Sequence, residues 1–123
     1  MTQFYHFHVN VFAKPQAASF VATWEDAAAM LERLPRMIFE PDGSFVVSGD
    51  DADGRRWQVD GHLFDFAGRL HRMELRGECP PAAFDELLKC VGWPAQELAF
   101  EMVREGITLD EVEYRKEVKQ TIQ

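Results

Sequence analysis

His6 and His8 stand two residues apart in FYHFHVNVFA, a run whose apolar and polar residues alternate. Alternation of period two places both imidazoles on one face of a strand, where they could share a metal ion. A third ligand would have to come from elsewhere in the chain, and Asp60 or His62, in WQVDGHLF, has the right chemistry. If the strands carrying them lie in one sheet, His6, His8, Asp60, His62 and Glu74 form a cluster of imidazole and carboxylate groups able to carry protons. The plainer use of a His-x-His pair is as the wet face of a strand, and that reading leaves the chain without a metal or other cofactor.

The stretch WQVDGHLFDFAGRLHRMELRG, residues 57–77, reads as a hairpin. With Phe66 and Ala67 at the turn centre and Gly68 in the left-handed position, Asp65 pairs with Arg69, Leu63 with His71 and Val59 with Leu75. That register puts Trp57, Val59, Gly61, Leu63, His71, Met73 and Leu75 on the core face. Gln58, Asp60, His62, Phe64, Leu70, Arg72, Glu74 and Arg76 take the other. A two-residue turn at Ala67-Gly68 would pair Leu63 with Arg72, and it is set aside because it mixes polar with apolar residues.

In the preferred register Asp60 faces Glu74, and facing carboxylates repel, which can lift one of them into the range useful for acid or base chemistry. Arg72 and Arg76 lie one step along the same face. They either neutralise the carboxylates as a solvated ladder or, beside Phe64, bind an anionic group such as a carboxylate or phosphate, with Asp60 or His62 as the proton carrier.

Other motifs add little chemistry. In GDDADG, residues 49–54, Asp51, Asp53 and Gly54 have part of the spacing of a calcium loop, but Gly49 stands at the first ligand position and strands flank the segment, so it reads as an acidic hairpin tip. Cys79 and Cys90 bracket a helical pattern opened by Pro80-Pro81. About eleven residues of helix separate two Cα atoms by roughly 16 Å, more than twice the distance of about 7 Å that a disulfide tolerates, so both are expected as free thiols. No nucleophile elbow, glycine-rich phosphate loop or Walker pattern occurs. The net charge of −8 opposes general binding to nucleic acid or to anionic membranes. The first residues lack the basic start and apolar centre of a signal peptide, and no apolar run approaches the length of a membrane span, so a cytoplasmic chain is expected.

The elements that must position these groups are legible from punctuation. At 123 residues, with 46% hydrophobic and 28% charged residues, the chain is expected to form one globular domain, 1–123. Residues 4–13 predict a strand with Tyr5, Phe7, Val9, Val11 and Ala13 inward. Thr23 predicts a helix N-cap, with Glu25 and Asp26 in the first turn and Pro35 as the stop. Pro41-Asp42-Gly43 predicts a three-residue hairpin loop with Phe39 facing Phe45. Gly61 at mid-strand predicts either a bend or room for a helix side chain such as Trp24.

After Gly77 every pattern is helical. Phe84, Leu87, Leu88 and Val91 form one stripe, and a second helix over 95–105 carries Leu98, Ala99, Met102 and Val103. Thr108-Leu109-Asp110-Glu111 has the spacing of a capping box and opens a third helix towards Gln120. With few apolar positions (Leu109, Val112 and Val118), that C-terminal helix, about 108–120, is peripheral or held by a partner chain.

These elements predict an α+β fold: one antiparallel sheet of about five strands with helices on one face. The order of the first six elements resembles that of the cystatin-like fold, with helix-grip folds as the rival. Gln58-Val59-Asp60-Gly61 is one residue short of the cystatins' Gln-x-Val-x-Gly, so the resemblance implies fold alone and no protease inhibition. The expected function is a non-enzymatic binding or protein-interaction module, homo-oligomeric, with Phe4, Phe12 and Phe64 exposed among polar residues as a contact surface. The alternative is a small-molecule enzyme or ligand pocket on the polar sheet face. Its catalytic candidates are His62, Asp60 and Glu74, and its ligand-binding candidates Arg72, Arg76 and Phe64.

Overall fold

Alternation decides the first strand, β1 (Tyr5–Ala13): Tyr5, Val9, Val11 and Ala13 are buried, whereas His6 is exposed and His8, Asn10 and Phe12 are half-buried. The computed structural model describes residues 3–120, so the ends of the expected 1–123 domain, 1–2 and 121–123, lie outside the described residues. Helix α1 (Trp24–Glu32) begins as the sequence predicts, with Thr23 Oγ1 accepting the Asp26 N–H at 3.0 Å. Then come β2 (Met37–Phe39), β3 (Ser44–Asp50), β4 (Arg56–Phe66), β5 (Arg69–Cys79), α2 (Pro81–Lys89), β6 (Leu98–Met102), β7 (Ile107–Asp110) and α3 (Glu111–Gln120). The β2–β3 loop keeps its predicted form, with Gly43 at φ +95° and Phe39 opposite Phe45.

The strands form one antiparallel sheet of seven, in the order β2-β3-β4-β5-β1-β6-β7. The class is α+β, but seven strands with β1 inside the sheet replace the expected five-stranded cystatin-like or helix-grip arrangement. One apolar cluster joins Val9, Val59, Leu63, Met73, Leu75 and Phe100 of the sheet to Ala27 and Leu31 of α1, Phe84 and Leu88 of α2, and Tyr114 and Val118 of α3. All three helices therefore cover the same face. Among the described residues no helix is long and apolar enough to cross a membrane.

Two expectations fail in instructive ways. The segment 95–105 is not a helix: in β6, Leu98, Phe100 and Met102 turn to the core, and Glu101 on the other side accepts from the Asn10 side-chain amide at 2.8 Å. A short run with apolar residues at 98, 99, 100 and 102 satisfies both periods, and the open edge of β1 decides in favour of a strand. Thr108 consequently lies in β7, and α3 is capped instead by Asp110, whose Oδ1 accepts the Glu113 N–H at 2.9 Å.

The second failure is the β4–β5 register. The turn is the two-residue Ala67-Gly68 form, with φ +53° and +77°. Phe64 pairs with Arg72 but Asp65 with Leu70, so His71 is an extra residue, a β-bulge. The bulge absorbs the mismatch that spoke against this turn, and Leu63 meets Met73 rather than Arg72. Below the bulge the true register differs from the predicted one by two residues, so the faces are as predicted and the partners are not. Beyond it the faces swap: Leu70 is buried, and His71, expected in the core, is exposed.

Helix α3 is not peripheral. Its anchor is Tyr114, whose ring stacks on Phe100 at 4.6 Å and on Phe84 at 5.9 Å, while Val112 is 65% exposed. Arg115 adds a polar clamp through ion pairs to Asp85 and Glu111, both at 2.9 Å, and Glu111 accepts from Trp93 Nε1 at 2.8 Å. The chain itself holds its last helix.

Both cysteines are free and buried. Burial pushes the Cys90 thiol up to about 12 and that of Cys79 higher still. Neither thiol is therefore expected to react with iodoacetamide at pH 8 in the folded protein, and both are expected to react once urea unfolds it. Intact-mass measurement before and after denaturation checks this, and rapid labelling of the native chain would contradict the burial.

Candidate functional site

The helices leave the second face of the sheet to its own side chains. The cross-strand register arranges them in rows: Gln58, Glu78 and His6; then Asp60, Arg76 and His8; then His62, Glu74, Asn10 and Glu101. His6, His8, Asp60, His62 and Glu74 thus share one face, as the strand periodicity predicts, with β5 as the central strand. Asp60 does not face Glu74, however. It faces Arg76, and Glu74 faces His62, because the true register is shifted by two residues. The like-charge repulsion expected of Asp60 and Glu74 as direct partners is replaced by complementary neighbours.

The histidines are engaged one by one. His8 Nε2 meets Glu74 Oε2 at 2.8 Å, and His6 Nδ1 meets Glu78 Oε2 at 3.1 Å. Each imidazole has its own carboxylate, so the two do not converge on a common point. Among the described residues no group of three or more His, Cys, Asp or Glu is arranged to hold a metal ion. His62 lies flat on Phe64, with ring centroids 4.0 Å apart and 8° between planes, and the Arg72 guanidinium sits 3.8 Å from the same ring. Such stacking fixes the orientation of all three side chains. Asp60 accepts from the Gln58 amide at 3.2 Å.

The aromatic residues differ from expectation. Phe4 is fully buried beneath the Arg55 guanidinium, 3.7 Å from its ring, rather than exposed. Phe12 and Phe64 are half-buried, and Phe12 meets the bulged His71 edge-on at 5.6 Å. The large apolar side chains that do reach solvent are elsewhere, including Phe66 at the hairpin tip and Ile38 on the edge strand β2.

A hollow of about 880 Å³ opens on this face. His6, His8, Gln58, Asp60, Arg76 and Glu78 line it, together with Arg56 and Arg104 and the more deeply set Met102, Tyr114 and Val118. Sequence reasoning missed Arg56, Arg104 and Tyr114. For Tyr114 a signal exists: it stands four residues before Val118, as Glu111 stands four before Arg115, so the helix shows an apolar pair beside an ionic one.

Chemically the face offers carboxylate-oriented imidazoles, guanidinium groups for oxyanions and stacked aromatic surface. No family model, curated protein or solved structure matches the chain.

Proposed function

We propose that the protein is a non-enzymatic binding module that recognises its ligand with the open face of its sheet. The hollow on that face carries this reading, because about 880 Å³ lies within the roughly 300–1,000 Å³ typical of small-ligand pockets. The contributing groups sit on adjacent strands of one sheet, a rigid support that keeps their spacing fixed. A reducing compartment such as the cytoplasm suits a module with two buried free thiols. Homo-oligomerisation would use the sheet edges, where Ile38 of β2 is 63% and Ile107 of β7 is 44% exposed.

The test is a fragment screen read by amide proton–nitrogen correlation spectra of the full chain. Saturable movement of β1, β4 and β5 resonances is the expected result. Movement confined to the helices, or none for any fragment, would refute the reading.

A second reading, a small enzyme on the same face, is favoured by one contact. His8 is oriented by Glu74 at 2.8 Å and borders the hollow, the arrangement of a general base beside a substrate space. His8 would then be the base rather than His62, which is stacked on Phe64.

A further inference from the structure

β6 pairs with β1 only between Val9 and Ala13, and the last link is the Val103 N–H donating to the His8 carbonyl at 3.0 Å. The chain then turns away through residues 104–106 into β7. The beginning of β1, at Tyr5, His6 and Phe7, pairs with β5 on one side and, among the described residues, with no strand on the other. Through this slot the hollow of the open face reaches side chains that belong to the helix-covered layer, Met102, Tyr114 and Val118.

Tyr114 is only 1% exposed, yet its hydroxyl has no hydrogen-bond partner among the described residues. An unsatisfied buried hydroxyl costs about 1–3 kcal/mol, which a ligand atom in the slot would recover. Desolvation pushes this phenol up from its ordinary value, so it keeps its proton and remains a donor.

The same hollow is lined by Arg56, Arg76 and Arg104, and none of the three has an ion-pair partner among the described residues. Arg76 faces Asp60 across the ladder without forming an ion pair, while Asp60 accepts from Gln58 and Glu78 is taken by His6. The lining also holds the carboxylates of Asp60, Glu78 and Glu105, but among the described residues none of them is ion-paired with these three guanidinium groups, which therefore remain available to an incoming anion. Guanidinium matches the geometry of carboxylates and phosphates, with two parallel hydrogen bonds to one oxyanion.

We propose that the hollow binds a small organic oxyanion, a carboxylate or phosphate ester with an apolar part. Arg76 grips the charged group, and Arg56 and Arg104 supply the surrounding field. The Tyr114 hydroxyl donates to a ligand oxygen in the slot, where Met102 and Val118 meet the apolar part. This inference rests on the open face being the recognition surface.

The experiment titrates the full chain with phenyl phosphate and benzoate, and with neutral benzyl alcohol and cationic benzylamine as controls, following amide resonances and the thermal midpoint. One or both anions are expected to move resonances of β1, β5 and residues 103–106 saturably, and the stronger of the two identifies phosphate or carboxylate as the oxyanion. Arg76→Gln is expected to weaken that binding about tenfold or more, the scale of a lost charge-assisted pair, and Tyr114→Phe about threefold to tenfold without loss of the fold. Added salt should weaken the anions and leave benzyl alcohol unchanged. Binding of benzyl alcohol to the face as tight as that of the anions, or anion binding unaffected by Arg76→Gln, would overturn the oxyanion assignment but spare the open face as a binding surface. If no probe of any charge moved resonances of this face, both would fall.

Discussion

Tyr114→Ala is expected to lower the unfolding free energy by about 3–5 kcal/mol, the usual cost of removing a large buried aromatic ring. The ring lies between Phe100 of β6 and Phe84 of α2, so its loss opens a void where the last helix, the last strands and α2 meet. Against a typical total of about 5–15 kcal/mol, α3 is expected to detach or the whole chain to unfold at modest denaturant. Tyr114→Phe keeps the stack and deletes a hydroxyl that has no partner among the described residues, and is expected to be neutral or to stabilise the ligand-free protein. Urea titration followed by circular dichroism measures both. Equal losses for the two variants would mean that the hydroxyl has a partner in the protein after all.

Gly61→Val is expected to cost about 2–3 kcal/mol through overpacking at the sheet's core face. A Cβ at Gly61 would lie 2.1 Å from the tip of the Phe45 ring, which is 3% exposed and stacked against Phe39. The ring cannot swing aside without displacing Phe39 or opening to water. Of the two expectations at Gly61, a bend or room for a helix side chain such as Trp24, the room is there, but Trp24 donates from Nε1 to the Leu63 carbonyl at 2.9 Å and the cross-strand Phe45 fills it. A double variant, Gly61→Ala with Phe45→Leu, should lose less than the sum of its parts, because the smaller side chain vacates the contested volume. Additive losses in chemical denaturation would show that Gly61 is required for its backbone rather than for Phe45.

The difference between these two sites reflects what a sequence encodes locally. Turn chemistry at Pro41-Asp42-Gly43 and capping at Thr23 are decided within a few residues, and both formed as predicted. The parity of His6, His8, Asp60 and His62 is equally local, since a strand alternates whatever its neighbour, so their common face was readable once they lay in one sheet. Partners were not, because register depends on turn length and insertions, and the two-residue turn together with one extra residue at His71 gives Asp60 an arginine opposite it instead of a glutamate. Whether LAFEM, residues 98–102, becomes strand or helix is settled by the bare edge of β1, some ninety positions earlier, through contacts such as Asn10 with Glu101. The slot through which Tyr114 borders the hollow depends on where that pairing stops, which no local pattern announces.

His71 also works as a phase setter. With a two-residue turn and His71 paired in an unbroken ladder, β5 would be read one step out of phase with β4 along all the length that follows. Arg72, Glu74 and Arg76 would be driven beneath the helices, and Met73 and Leu75 would come out into water. The protein's division into an oily side and a polar side therefore hangs on one bulge at a hairpin tip, which brings two strands of opposite phase back into step.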